Sequence, residues 1–130
     1  MNLRKTPIRS KTALRKTLSS KQLVDLICKG AENKHAEEIE VIDVRKASSI
    51  CNYFIVCTAN STPQINAIAE GIKDTLHKKG VKMPRVQGKG GSNWIIIDFI
   101  NIVAHIMGSE ERKKYNLEDL WGKSGIIYHV

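Results

Sequence analysis

The chain has 130 residues with an apolar share of 42%, enough for one domain with a modest core. It contains no run of about 18 apolar residues to span a membrane, and no apolar core follows its basic start as a secretory signal requires. The formal charge of +8 is concentrated at one end: Arg4, Lys5, Arg9, Lys11, Arg15 and Lys16 face no acid, and without those six the 21 basic residues fall to 15 against 13 acidic ones.

Residues 1–18 therefore read as a basic tail. Three readings stay open for it: a solvated lead-in, a segment drawn to anionic surfaces such as RNA by counterion release, and an organellar transit peptide rich in Arg, Lys, Ser and Thr. The body begins at Ser19. With Gln22 it makes an S-x-x-Q capping box ahead of Leu23, Leu26 and Ile27, which predicts a helix to about Asn33. Strands follow over Glu40–Arg45 and Asn52–Thr58. Ser61 and Gln64 form a second capping box, with Pro63 tolerated in the first turn. Ile65, Ile68, Ala69, Ile72 and Leu76 recur at helical spacing until Gly80.

Val81–Gln87 reads as a weak strand, and Pro84 places it at a sheet edge. The Gly88–Ser92 turn lacks a phosphate-loop pattern and enters a strand rather than a helix. Asn93–Asp98 and Ile102–Met107 are paired strands. Ser109 is the expected cap of a short helix, with Glu110 and Glu111 at its positive end, and Asn116 is a further cap before Leu117, Leu120 and Trp121. The order helix, two strands, helix, three strands, helix predicts an α/β single domain: a mixed five-stranded sheet flanked by helices. Residues 19–122 form that domain and 123–130 a C-terminal extension.

Cys28, Cys51 and Cys57 lack metal-ligand spacing and read as buried free thiols of a reducing compartment. His35, His77, His105 and His129 are scattered, so no metal site, catalytic constellation or cofactor is indicated. Alternation puts Trp94, Ile96 and Asp98 on one strand face and Ile95, Ile97 and Phe99 on the other. An unpaired carboxylate beside Trp and Ile is costly to bury. Asp98 thus belongs at a rim or near a cation, or else caps the hairpin, and Trp94 is either a contact residue or core. His105 reads as a hydrogen-bonded structural histidine.

Two ordered blocks carry a family resemblance. One is Val41-Ile42-Asp43-Val44-Arg45, then Tyr53-Phe54-Ile55-Val56 and Asn60-Ser61-Thr62-Pro63-Gln64. The other joins Trp94, Asp98, Val103, His105 and Ile106 to Glu110-Glu111-Arg112, Tyr115, Leu117, Glu118, Leu120 and Trp121. Over residues 20 to 122 the chain resembles the ribosomal silencing factor (Iojap/RsfS) family. It departs at Asn52, where members usually carry an acid, and at Ile100, where the hairpin commonly has Gly. A β-branched residue disfavours a left-handed backbone, so another turn geometry is expected at Ile100.

The resemblance implies a fold like a reduced nucleotidyltransferase core. The chemistry of those enzymes is not expected: Gly91-Ser92 is followed by Asn93 and Trp94 rather than a D-x-D pair, and Asp43 and Asp98 are single acids on separate strands. A nucleotide binder and a tail-based RNA-binding module are the rival readings. The resemblance further implies a partner, the large ribosomal subunit, contacted through ribosomal protein L-fourteen so that small-subunit joining is blocked and translation repressed; large-subunit assembly is the alternative. The implied partner surface comprises Trp94, Asp98, Phe99, Glu110, Glu111, Tyr115, Leu117 and Trp121. A homodimer and a cytoplasmic location, with organellar import as the alternative, complete the expectation.

Overall fold

The computed structural model describes residues 18–82, 84–88, 93–117 and 119, and the backbone of 126–129. Helix α1 (Ser20–Glu32) starts at the expected capping box, with Gln22 N–H donating to the Ser19 hydroxyl and Ser19 N–H to the Gln22 side chain. Strand β1 (Glu37–Asp43) begins three residues before its expected start and pairs antiparallel with β2 (Tyr53–Ala59). A register shift between Glu37 and Glu40, with Glu38 at φ 48°, marks a bulge.

Helix α2 (Thr62–Lys78) is capped by the Ser61 hydroxyl, with Pro63 in its first turn. The second capping box is not reciprocal as expected. The Gln64 side chain instead accepts from Asn60 N–H at 2.6 Å and donates to the carbonyls of Lys34 and His35, tying α2 to the turn after α1. The weak strand contracts to β3 (Arg85–Gln87), which does lie at an edge. Val81 is a buried packing residue whose N–H donates to Leu76, so it closes the helix rather than opening a strand.

Strands β4 (Trp94–Asp98) and β5 (Ile102–Gly108) form the expected hairpin. Ile100 corrects the expected turn geometry: at φ 79° it adopts the left-handed conformation that glycine would favour. The Asp98 carboxylate accepts its N–H at 2.8 Å, and Phe99 N–H donates to the Ile102 carbonyl, so local bonds hold a backbone that a β-branched residue disfavours. Helix α3 (Ser109–Tyr115) follows β5 without a loop. Its cap position is Gly108 and no side chain caps it, because Ser109 is already helical. Asn116, expected to start a further helix, sits left-handed (φ 40°) at the end of α3 and donates its side-chain amide to Asp119.

The last strand, β6 (Ile126–His129), pairs antiparallel with β1. The sheet thus has six strands in the order β3-β4-β5-β2-β1-β6, one more than expected, the extra one from the segment read as an extension. Among the described strands only β2 and β5 pair in parallel, with α2, β3 and β4 between them in the chain, so the sheet is mixed as predicted.

Helices α1 and α2 cover one face. Against them lie Ile39, Val41, Ile55, Cys57, Ile95, Ile97, Ala104 and Ile106, all buried. Each fully buried isoleucine contributes roughly 2 kcal/mol relative to exposure. The two helices touch at glycines. A Cβ on Gly30 would lie 2.7 Å from Ile72 Cα and 2.9 Å from the Gly71 carbonyl, and backbone atoms on both counts leave no side chain to swing aside.

Gly30→Ala therefore sets two effects against each other. Helix propensity favours alanine by about 1 kcal/mol, while overpacking costs roughly 1–3 kcal/mol and here demands helix separation. Net destabilisation is expected, read as a lower urea midpoint. A midpoint equal to or above wild type would show that α1 and α2 are free to part.

Candidate functional site

The other sheet face carries the polar and aromatic residues. The register aligns them in rows: Arg85, Asp98, Val103, Phe54 and Ile42; then Gln87, Ile96, His105, Val56 and Glu40; then Trp94, Met107 and Thr58. Helix α3 lies over the third row. Arg112 fixes it there: its guanidinium donates to the Glu38 carbonyl at 2.7 Å, the Thr58 hydroxyl at 2.9 Å and the Glu40 carboxylate at 3.0 Å. The bulge in β1 presents the Glu38 carbonyl. With side chains 8% and 13% exposed, the Arg112–Glu40 pair is a buried ion pair whose hydrogen bonds offset desolvation.

One corner of this face is aromatic. The Trp94 indole N–H donates to His105 Nδ1 at 3.1 Å, and the Tyr115 ring lies 4.8 Å from the Trp94 ring. Phe54 meets His105 edge-on at 5.1 Å. His105 is 7% exposed, and burial pushes its pKa down to about 4, which leaves the imidazole neutral near pH 7. Trp94 is half-buried and Tyr115 is 48% exposed, so the corner shows aromatic surface to solvent.

The expected partner residues separate into groups. Trp94 and Tyr115 are in contact. Glu110 is exposed in the first turn of α3, and the Glu111 carboxylate reaches back beside Gly108, whose N–H donates to the Asn93 carbonyl next to Trp94. Asp98 stands four residues along β4 from Trp94, about 13 Å away, opposite Arg85 and bonded to the hairpin. Phe99 points to the helix-covered face and is buried there. Leu117 packs with Ile42, Val56 and Met107 under α3. Trp121 lies outside the described residues.

Sequence reasoning did not single out Phe54 and Arg112 as builders of this face, nor His105 as the partner of Trp94. Arg112 meets Glu40 from 72 residues away, which no local pattern signals. Period-two alternation did place Trp94 on a strand face, and strand pairing supplied its contact with His105. The three cysteines are free and buried, as their apolar contexts predicted; burial pushes Cys28 and Cys57 up to about 12.

Residues 17–128 match the family described as ribosomal silencing factor during starvation. A Bacillus subtilis ribosomal silencing factor is 32% identical over 105 residues, covering 81% of this chain and 89% of that protein. A mouse protein named for mitochondrial assembly of the ribosomal large subunit is 30% identical over 101 residues, 75% of this chain and 44% of its own length. The crystal structure of a Chromobacterium violaceum protein superposes with a TM-score of 0.76 at 27% identity, covering 81% of this chain and 88% of that one.

Two stability experiments follow from the geometry. Between pH 6.5 and 4 an unfolded histidine binds a proton that folded His105 does not, so the unfolded state takes up more protons as pH falls. Stability from this group is complete above about pH 6.5 and is lost progressively toward pH 4, by about 3 kcal/mol. His105→Leu should lack that component, visible as a shallower decline in unfolding free energy; an identical slope would refute the neutral buried imidazole. Arg112→Met should cost about 3–5 kcal/mol by removing one half of a buried ion pair, and adding Glu40→Leu should recover part of it. Urea melts of the single and double variants measure the difference, and no recovery would mean that the pair is not coupled.

Proposed function

The chain belongs to the ribosomal silencing factor (Iojap/RsfS) family, and from that premise we propose that it binds the large ribosomal subunit through ribosomal protein L-fourteen. An occupied contact site then blocks the small subunit sterically and represses translation. The observation that carries a contact at this face is the aromatic corner. Trp94 and Tyr115 pack ring against ring at a tilt, with surface exposed, on a sheet face that α1 and α2 leave alone. Trp and Tyr are the residues that most often dominate protein contacts. The acidic first turn of α3 lies at the same end and suits a basic partner.

In this reading residues 1–18 add salt-sensitive contact with ribosomal RNA, because six basic residues without interleaved aromatics favour phosphate over bases. The protein acts in the cytoplasm as a homodimer or, with the tail as an import signal, inside an organelle. A second role, large-subunit assembly, is favoured by the name of the mouse relative. Both roles use one surface and differ in whether the bound particle is mature.

Sedimentation with separated subunits and with joined ribosomes tests the proposal. The protein should travel with free large subunits and be scarce on joined ribosomes; equal occupancy on both would end the steric reading. Trp94→Ala should weaken large-subunit binding by about 2 kcal/mol, roughly 30-fold. Reversing Glu110 and Glu111 to Lys should slow association and change its salt dependence. A folded double-Lys variant that blocks joining at full strength would reduce the acidic turn to helix capping.

A further inference from the structure

His105 Nδ1 accepts a hydrogen bond from the Trp94 indole, a group that only donates. Its lone pair is therefore committed, and the proton of the neutral ring must sit on Nε2. Among the described residues, Nε2 is the one buried side-chain nitrogen or oxygen with no hydrogen-bond partner. A buried orphan donor costs about 1–3 kcal/mol, and native structures keep few of them. Nε2 also lies at the end of the ring remote from Cβ. It points away from β5, over the sheet face that α1 and α2 do not cover. The edge-on Phe54 ring, at 5.1 Å and 63°, offers at most a weak π acceptor.

We propose that His105 Nε2–H is a recognition donor that takes an uncharged oxygen, a main-chain carbonyl, from a protein segment docking on this face. The surroundings select that chemistry. Phe54, Trp94, Ile96 and Val56 neighbour the ring in the sheet register, and such an apolar collar penalises a carboxylate or phosphate far more than a carbonyl. The same collar argues for protein over RNA as the occupant. In the free protein Nε2 is covered, so the bond forms only when the collar shifts. The half-exposed Tyr115, packed at a tilt against Trp94 at the end of a short helix, flanks that collar on its solvent side. This assignment rests on the proposed large-subunit contact and specifies how its centre is read: Trp94 supplies area, and His105 supplies direction.

Glutamine carries its amide nitrogen out to about the reach of Nε2, whereas leucine is apolar, so His105→Leu and His105→Gln separate the donor from the packing. Both variants, with wild type and Trp94→Ala, are titrated against isolated large ribosomal subunits and against protein-free ribosomal RNA. His105→Leu is expected to bind large subunits about tenfold more weakly. His105→Gln, which keeps an N–H donor near the Nε2 position, should stay within about threefold of wild type. Leucine binding at wild-type strength overturns the proposal, as does equal weakness of the two variants, which would reduce His105 to packing. A matching loss on protein-free RNA also overturns it, because the acceptor would then not be a protein carbonyl. Failure of wild type itself to bind large subunits would instead remove the functional reading beneath it. If the glutamine variant loses its cooperative melt, the leucine variant decides alone: a tenfold loss with an intact melt supports the donor, and no loss refutes it.

Discussion

The guanidinium of Arg112 is the contact on which the second face of the sheet depends. Three acceptors from two strands converge on it: the Glu38 carbonyl, the Thr58 hydroxyl and the Glu40 carboxylate. Helix α3 has seven residues and no side-chain cap, too little to be stable by itself. What holds it is a buried charge that must be satisfied where it stands. The bulge at Glu38 has the same explanation, since a regular β1 would point that carbonyl into the ladder. Once α3 is fixed, Tyr115 has one place to go, onto Trp94, and Leu117 closes the core beneath.

That arrangement makes the two faces physically unlike. Under α1 and α2 the packing is mainly aliphatic, tight enough for a glycine-to-glycine helix contact, and the thiols of Cys28 and Cys57 buried in it are held neutral. The opposite face carries an ion pair, a neutral histidine and three aromatic rings in sequential contact. An aliphatic face is indifferent to direction, whereas rings and hydrogen bonds impose geometry on whatever meets them. A domain that needed only stability could have filled both faces alike.

Much of this was legible in the sequence, and the gaps have physical causes. Elements announced by local chemistry came through: the capping box at Ser19, the 3.6-residue spacing from Ile65 to Leu76, and the alternation in Trp94–Asp98. Errors arose where a distant partner decided. Gln64 turned from its own cap to the carbonyls of Lys34 and His35. Gly30 and Gly71 give no local signal of their role, because each leaves room for the other's backbone. Residues 126–129 read as an extension because a four-residue edge strand has no periodicity to display, and only β1 gives it a ladder. At the site, the strand face of Trp94 and a hydrogen-bonded His105 could be read, but not the bond between them, which requires the β4–β5 register.

The hairpin shows how a residue's structural duty limits what it reveals about binding. Ile100 is 70% exposed and left-handed, a conformation that costs a β-branched residue about 1–3 kcal/mol. The Asp98 carboxylate helps hold it by accepting its N–H. Removing that carboxylate would release the strained turn along with any surface charge, so lost binding in such a variant would report hairpin geometry as readily as partner contact. Glu110 carries no such duty: it is exposed, and its interaction with the helix terminus is worth a few tenths of a kcal/mol. Of the acids on this face, the less embedded ones therefore give the cleaner reading of what the surface recognises, and the more embedded ones explain why the surface keeps its shape.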